Sequence, residues 1–390
     1  MEPTLQGIFR EAFPAYAETH PLPLHKHKAA AAIIECRTDA LGGHVDRCEC
    51  GHIEGVWYNS CKNCNCPQCC GLPNERWLEE QKARLLDCDH YHAIFTLPHE
   101  RLGLWRLNTR LMTDLLFRSA RDTLMELLQD PRYLGATPGI LIALHTWGRS
   151  QSLHPHLHCL ITGGGLTDEG EWKAVTNGFL LPFRLVAFEF RKRLIEGLRK
   201  AHAAGDLQLP DELTPQRLIN LCNKLQYKTK WVVHLCERYP HGEGVAAYLA
   251  RYLKGGPIDH RQILQADAER VTFRYKDHRD RHTKTLTLPT DRFVQRFLWH
   301  IPEPGMHGVR HYGLYAHQKR AARETGRPLL GQSPREEKPA FFDWQTWLQR
   351  LGGQRLTECP VCGRPVRTVE ILPKRRIPPP IPPPAMAEAA

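Results

Sequence analysis

The sequence predicts an α+β fold in which an antiparallel sheet is flanked by helices and preceded by a small cysteine-rich domain. Short apolar runs typical of buried strands alternate with amphipathic helical segments along most of the chain. Two of these runs are close together in sequence, as expected for an antiparallel pair. Eight of the 14 cysteines lie between Cys36 and Cys70, which marks the N-terminal region as a separate unit.

The composition limits the class of protein and of partner. The 390 residues are sufficient for two or three domains with a sizeable core. Lys and Arg number 53 against 42 acidic residues, a net charge of +11 that favours a nucleic-acid partner; a basic enzyme without one is the alternative. No apolar run approaches the roughly 20 residues of a membrane span, and residues 1–10 lack a signal-peptide pattern, so a cytoplasmic location is expected.

The predicted elements follow from periodicity and from breaking residues. Residues 1–44 look largely helical, and Asn74 is predicted to cap a helix that ends near Leu86. Strands are predicted at 91–97, 139–147 and 231–235 and within the histidine-rich stretch 154–165, with a hairpin at 271–275 and 283–288. A helix or helix pair is predicted at 102–129, helices are predicted at 182–203, 214–227, 245–254 and 291–300, and residues 310–315 are predicted to enter another. The proline-rich tail is predicted to be disordered or polyproline-like.

The chain is organised around the histidine-rich stretch at 154–165, which contains a predicted strand. Strand alternation places His156 and His158 on one face and Leu157 on the other, so that both imidazoles can bind one metal ion. Pro155 suggests that the strand begins only after His154. The three glycines at 163–165 are expected to end it and to allow a close backbone approach. The alternative is that the histidines are ordinary core or surface residues.

A tyrosine pair lies on the predicted helix at 245–254. Tyr248 and Tyr252 are four residues apart, which places both phenols on one helix face. Leu249 and Leu253 form the neighbouring stripe, which can anchor the helix to the sheet and leave the phenols accessible. The alternative for such a pair is core packing.

The cysteine-rich block has the ligand spacing of a structural zinc site. Cys66-x-x-Cys69 is a metal knuckle, and Cys48-x-Cys50 is a shorter second half. We predict that these four cysteines bind zinc, with Cys61 and Cys64 as substitutes or as members of a second site. Near the C-terminus, Cys359-x-x-Cys362 is a further half-site whose partner ligands are not evident from the sequence.

Together these motifs resemble the HUH endonucleases, specifically the two-tyrosine rolling-circle transposases of bacterial insertion sequences. The phrases that carry the resemblance occur in the family's order and cover nearly the whole chain: Tyr58-Asn59-Ser60-Cys61, Cys66-Pro67-x-Cys69, Phe95-Thr96-Leu97-Pro98, Leu144-His145-Thr146-Trp147-Gly148, His154-Pro155-His156-Leu157-His158-Cys159, Gly163-Gly164-Gly165, Tyr248-Leu249-Ala250-Arg251-Tyr252 and Arg310-His311-Tyr312-Gly313-Leu314. Two departures concern the zinc ligands: Asn65 stands where a histidine often precedes the knuckle cysteine, and Cys48-x-Cys50 is tighter than usual.

The resemblance implies an HUH/Rep-like sheet and three regions: a zinc-binding domain at 1–88, a catalytic domain at 89–325 and a C-terminal extension at 326–390. It also implies that His156 and His158 hold a catalytic Mg²⁺ or Mn²⁺. His145 is the expected third ligand, and Gln151 and Glu243 are weaker candidates.

The implied reaction is nicking and rejoining of single-stranded DNA at transposon ends and target, through a 5′-phosphotyrosine on Tyr248 or Tyr252. Arg251 and Lys254 would contact the DNA, and the enzyme would be bacterial, cytoplasmic and nucleoid-associated when bound. Two alternatives remain open: a non-enzymatic zinc-ribbon DNA-binding protein, and a histidine-triad nucleotide hydrolase suggested by the histidines at 154, 156 and 158.

Overall fold

A computed structural model of the chain describes residues 2–98, 102–227, 231, 233–239, 256–277, 280, 282–333, 346–347 and 358–375. The helices in chain order are α1 (Leu5–Thr19), α2 (Leu24–Glu35), α3 (Gly71–Arg84), α4 (Leu102–Leu107), α5 (Thr109–Gln129), α6 (Phe183–Ala203), α7 (Pro215–Tyr227), α8 (Thr290–Trp299) and α9 (Arg320–Leu329). The strands are β1 (Gly43–Arg47), β2 (Ile53–Tyr58), β3 (His90–Thr96), β4 (Thr137–Trp147), β5 (Leu153–Leu166), β6 (Trp172–Ala174), β7 (Val233–Tyr239), β8 (Ile263–Ala266), β9 (Arg270–Lys276), β10 (Thr283–Pro289), β11 (Val309–Gly313) and β12 (Arg367–Leu372). Among these residues, no helix has both the length and the apolar character needed to cross a membrane.

The largest sheet has the strand order β11-β4-β5-β3-β7, with β6 paired beside β5. Every neighbouring pair in it is antiparallel. Helices α5 and α6 cover one face and supply much of its core, including the fully buried Phe117 and Phe190. The opposite face packs on α3 and on the segment after β11 through Trp77 and Tyr315. The predicted α+β class, with helices flanking an antiparallel sheet, is therefore confirmed.

The register of β5 decides which of its side chains reach each face. Leu157, Cys159 and Ile161 are completely buried in the core under α5 and α6. The residues that alternate with them along the strand, including His156 and His158, consequently point to the opposite face. A slip of one residue would exchange the two sets, which the burial of the apolar set strongly opposes.

Strand β5 begins at Leu153 and not, as expected, after His154. Pro155 is tolerated because the β4–β5 ladder is irregular at this point, between the pairs His145↔His156 and Trp147↔Leu153. Its carbonyl still accepts a hydrogen bond from the Leu97 backbone N–H at 3.1 Å. The strand also continues through the three glycines to Leu166 and does not end at them. A Cβ atom at Gly165 would lie 2.6 Å from the Thr137 carbonyl oxygen, so this close backbone approach requires glycine.

Two other expectations differ from the structure. Helix α3 begins at Gly71, so Asn74 lies inside the helix rather than capping it. Residues 309–313 form the edge strand β11 along β4, and the next α-helix begins only at Arg320. Backbone pairing with β4 and the positive φ of Gly313, +57°, account for a strand and a turn where a helix was predicted. The predicted helix at 245–254 lies outside the described residues.

The N-terminal helices pack with elements from much later in the chain. Thr4 caps α1 by accepting a hydrogen bond from the Gly7 N–H, and the Phe9 ring contacts Phe297 of α8 edge-on. Strands β8, β9 and β10 complete this second core through Ile263, Phe273 and Leu288 respectively. A third sheet, with the order β12-β1-β2, brings the C-terminal strand back to the N-terminal region. The domain boundaries predicted from the sequence remain predictions.

His300 directly follows α8, and its side chain contacts the turn that leads into β5. Its Nε2 lies 3.2 Å from the Gln151 carbonyl oxygen and its Nδ1 lies 3.1 Å from the Thr146 hydroxyl. The carbonyl can only accept, so Nε2–H donates to it and Nδ1 accepts from Thr146. Burial lowers the pKa of His300 to about 4, so the ring is neutral at neutral pH.

We predict that His300 makes the free energy of unfolding depend on pH. Unfolded His300 binds a proton below its ordinary pKa of 6.5, whereas the folded ring resists protonation until about pH 4. The stability that the neutral His300 ring contributes is therefore fully present above pH 6.5, and it is lost as the pH falls from 6.5 to about 4. The variant His300→Gln should lose about 3 kcal/mol less stability across that range than the unaltered chain.

Urea denaturation at several pH values measures this difference, and His317→Gln, at an exposed position, is the matched control. An unchanged pH dependence in His300→Gln would contradict the assignment.

Candidate functional site

His145, His156 and His158 form a cluster on the sheet face opposite α5 and α6, here called the three-histidine group. His145 of β4 lies directly across the ladder from His156 of β5, and His158 is the next residue of β5 on the same face. One ring nitrogen from each side chain lies within 4.8 Å of those of the other two. The structure thus brings together the three residues that the sequence proposed as metal ligands.

Burial keeps the three imidazoles neutral. His145 and His158 are each only 3% exposed. Desolvation lowers the pKa of His156 to about 4, and it lowers the pKa of His145 and of His158 well below the ordinary value. Neighbouring imidazoles add to the shift in each case. At neutral pH each ring therefore has an unprotonated nitrogen with a lone pair.

A backbone contact sets the tautomer of His156. Its Nδ1 lies 2.6 Å from the His154 carbonyl oxygen, which can only accept a hydrogen bond. The proton is therefore on Nδ1, and Nε2 retains the lone pair. Such a contact to the second ring nitrogen is typical of metal-binding histidines. Three neutral imidazole nitrogens fit a divalent cation, although this donor set does not select one metal.

His92 on β3 extends the group and was missed by the sequence analysis. Its Nε2 lies 2.8 Å from His158 Nδ1, and the two rings are nearly parallel with centroids 5.0 Å apart. Strand β3 pairs with β5 so that Ile94 opposes His158, which places His92 diagonally across from it. When His158 uses Nε2 as a ligand, its Nδ1–H donates to His92, so His92 orients that ring. The sequence offered one signal, which is that alternation in the predicted strand at 91–97 places His92 and Ile94 on the same face.

The remaining predicted site residues have different outcomes. Gln151 is buried in the turn before β5 with a φ of +58°, and its carbonyl accepts from His300. The other residues proposed for metal, catalysis or DNA contact lie outside the described part of the chain: Glu243, Tyr248, Arg251, Tyr252 and Lys254.

Four cysteines of the N-terminal region meet at one point, and we call them the N-terminal cysteine group: Cys36, Cys61, Cys66 and Cys69. The Cys69 sulfur lies 3.4 Å from that of Cys36 and 3.6 Å from that of Cys61. Cys36 follows the last residue of α2 and was not among the predicted ligands. Its place at the end of the helical segment, inside the eight-cysteine span, was the available signal.

Cys48 and Cys50 belong to a different cluster. They meet the C-terminal pair, and we call these four the bridging cysteine group: Cys48, Cys50, Cys359 and Cys362. The single site expected around Cys48, Cys50, Cys66 and Cys69 is therefore replaced by two groups, because β12 pairs with β1 and carries the C-terminal cysteines to the β1–β2 turn. Cys64 and Cys70 are described but belong to neither group.

The spacing of the N-terminal cysteine group suits a structural zinc ion. A tetrahedral ion with Zn–S bonds of about 2.3 Å places its sulfur ligands about 3.8 Å apart. The observed sulfur separations of 3.4 and 3.6 Å are close to this value and far longer than a disulfide bond of about 2.05 Å.

Comparison with known proteins gives consistent results for both parts of the chain. A family model described as "Putative transposase" (Y2_Tnp) matches residues 139–322, which include the three-histidine group. A second model, "Transposase zinc-binding domain" (Zn_Tnp_IS91), matches residues 8–97 and so includes the N-terminal cysteine group. Cys359 and Cys362 lie outside both matched regions. No solved structure shows significant similarity to the chain.

Two curated relatives are similar over most of their length. "Putative transposase y4qJ" of Sinorhizobium fredii is 36% identical over 384 residues, which cover 95% of this chain and 95% of the relative. "Transposase for insertion sequence element IS801" of Pseudomonas savastanoi pv. phaseolicola is 31% identical over 297 residues, 73% of this chain and 69% of the relative. As the sequence resemblance predicted, the chain belongs to the insertion-sequence transposase family, with an N-terminal transposase zinc-binding domain.

Proposed function

We propose that this transposase is a metal-dependent HUH-type nuclease and strand transferase, which nicks and rejoins single-stranded DNA at transposon ends in a rolling-circle-type reaction. The observation that carries the proposal is the three-histidine group, whose neutral imidazoles converge on one side of the sheet within the region matched to transposases. Zinc-ribbon DNA binding alone would not require this arrangement.

The three-histidine group would bind Mg²⁺ or Mn²⁺ through ring nitrogens that burial keeps unprotonated. The cation, when bound, polarises the scissile phosphate and offsets the charge that develops in the transition state. The chain's own contribution is orientation: the His154 carbonyl fixes the ring of His156, and His92 fixes the ring of His158.

Tyr248 and Tyr252 are the proposed nucleophiles. The phenolate oxygen of one attacks the phosphorus, the bond from phosphorus to the 3′ oxygen breaks, and that oxygen leaves as a 3′-hydroxyl. The DNA then remains attached through a 5′-phosphotyrosine, which retains the phosphodiester energy for rejoining without a nucleotide cofactor. On a helix the two phenols are one turn apart, so a second strand can be cut while the first remains attached.

The proposed partner is single-stranded DNA of the transposon ends and target, bound in the cytoplasm. The net charge of +11 supports a polyanionic partner through counterion release. Arg251 and Lys254, which flank Tyr252 in sequence, are proposed to neutralise phosphates beside the cut.

We predict a covalent DNA adduct that requires both a divalent cation and a tyrosine. Labelled single-stranded oligonucleotides covering the ends of the element should give a shifted band that survives denaturation. The band should disappear with chelator, return when Mg²⁺ or Mn²⁺ is restored, and be absent from the double variant Tyr248→Phe/Tyr252→Phe. Full nicking by the double variant would refute the tyrosine assignment. Binding without any adduct in the unaltered chain would favour the non-enzymatic DNA-binding protein.

We predict that His145→Ala weakens Mn²⁺ binding by at least about tenfold, because it removes one of three ligands. Isothermal titration or the loss of free Mn²⁺ signal in electron paramagnetic resonance measures the affinity without DNA. His317→Ala changes an exposed histidine far along the chain and should bind Mn²⁺ normally. Unaltered affinity in His145→Ala would remove His145 from the ligand set.

For His92 we predict an effect on Mn²⁺ affinity that acts through His158. His92→Phe keeps a ring of similar size but no acceptor, and it should lower Mn²⁺ affinity about tenfold. His92→Gln offers a carbonyl oxygen to His158 Nδ1–H and should recover most of the affinity. Equal affinities in the Phe and Gln variants would mean that His92 acts only by packing.

A further inference from the structure

The C-terminal segment at 358–375 returns to the N-terminal region at the bridging cysteine group. Strand β12 pairs with β1 from Gly43↔Leu372 to Arg47↔Arg367. The end of β1 that leads to Cys48 and Cys50 is therefore beside the start of β12, which follows Cys359 and Cys362. Residues that are 309 and 314 positions apart in sequence are in this way brought into contact.

The sulfur atoms of this group have the spacing of a tetrahedral thiolate site. Cys48 Sγ lies 3.4 Å from Cys362 Sγ, and Cys50 Sγ lies 3.7 Å from Cys359 Sγ. All four lie within 4.8 Å of one another. Sulfur ligands around one zinc ion are about 3.8 Å apart, and a disulfide would need about 2.05 Å. The distances therefore match four ligands of one ion and exclude two disulfides.

The two halves of the group are built in the same way. Gly51 directly follows Cys50 with a φ of +90°, and Gly363 directly follows Cys362 with a φ of +69°. Backbone hydrogen bonds close each turn: Gly51 N–H donates to the Cys48 carbonyl at 2.9 Å, and Gly363 N–H donates to the Cys359 carbonyl at 2.9 Å. Each turn therefore presents a pair of thiols toward the other, with a glycine where the backbone enters the left-handed region.

The side chains of β12 add little buried surface to its pairing with β1. Five of its six residues are exposed, and Val369 and Ile371 are 53% and 73% exposed. Within the group, Cys48 and Cys359 are buried whereas Cys50 and Cys362 are exposed. The Arg364 guanidinium contacts the Cys362 sulfur, so it is placed to offset thiolate charge. Its Nη1 lies 3.3 Å from Oε2 of Glu49 on the opposing turn.

We propose that Cys48, Cys50, Cys359 and Cys362 bind a second structural zinc ion, which fastens the C-terminal segment to the N-terminal cysteine-rich region. This ion is distinct from the zinc ion that the N-terminal cysteine group is suited to bind. Its binding does not depend on the proposed nuclease chemistry. Because the side chains of β12 bury little surface, a bound ion would add to the backbone pairing with β1 in holding this segment. Loss of zinc from this site should loosen the C-terminal segment while the N-terminal cysteine group keeps its ion.

Thiol labelling of the unaltered full-length chain tests the proposal directly. The protein, purified without chelator, is treated with iodoacetamide and each cysteine is quantified by peptide mass spectrometry. Cys50 and Cys362 should be protected although their side chains are exposed, and both should react after zinc is removed. Cys64, exposed and outside both groups, should react in either state and serves as the internal control. Labelling of Cys50 and Cys362 as fast as Cys64 in the zinc-containing protein would overturn the proposal.

Metal content gives a second measurement. Inductively coupled plasma mass spectrometry should find one zinc ion per chain fewer in the double variant Cys359→Ser/Cys362→Ser than in the unaltered protein. The variant Cys64→Ser should contain as much zinc as the unaltered protein. Normal zinc content in the double variant would contradict the proposal. Protection of Cys36, Cys61, Cys66 and Cys69 should persist in that variant, which distinguishes loss of one site from general unfolding.

Discussion

The burial of Leu157 and Ile161 against helices α5 and α6 is the constraint on which the candidate site depends. Each fully buried side chain of this size stabilises the fold by about 1.5–3 kcal/mol. These residues alternate with His156 and His158 along β5, so the energy that fixes the apolar face also fixes the imidazole face. Pairing of β5 with β4 and β3 then adds His145 and His92 from either side. The same burial removes water from the rings and keeps them unprotonated, which is the state a metal ligand needs.

The described clusters of possible metal ligands are of two kinds. The cysteine groups each offer four thiolates, a soft and closed set that suits structural zinc. The three-histidine group offers three neutral nitrogens and no thiolate, so coordination positions remain for water and phosphate oxygens. The bridging cysteine group belongs to a sheet with little apolar core, β2-β1-β12, where Trp57 and Ile371 are half or more exposed, so a bound zinc ion would stabilise it. The three-histidine group lies instead on the largest described sheet, whose strands β4 and β5 are buried along most of their length.

Sequence patterns predicted the features that depend on local periodicity. Helix α5 and strands β3 and β4 were predicted from their apolar patterns, and α6 was predicted from the proline that opens it and from its basic residues. The shared face of His156 and His158 followed from alternation alone. Features that depend on long-range pairing were missed or misassigned. The meeting of Cys48 with Cys362 requires two strands from opposite ends of the chain, and His92 reaches His158 only through the β3–β5 register. A short edge strand such as β11 has no distinctive repeat, so its sequence predicts the start of a helix equally well. Pro155 lies in β5 because the β4–β5 ladder is irregular there.

We expect one cation to bind where β4 and β5 bring their histidines together. A crystal of the full-length protein grown with Mn²⁺ and measured at the manganese absorption edge would locate this cation. An anomalous peak should lie within coordination distance of ring nitrogens from His145, His156 and His158, with His92 hydrogen-bonded to the far side of His158. A manganese peak elsewhere, with the three rings bonded only to one another or to water, would contradict it.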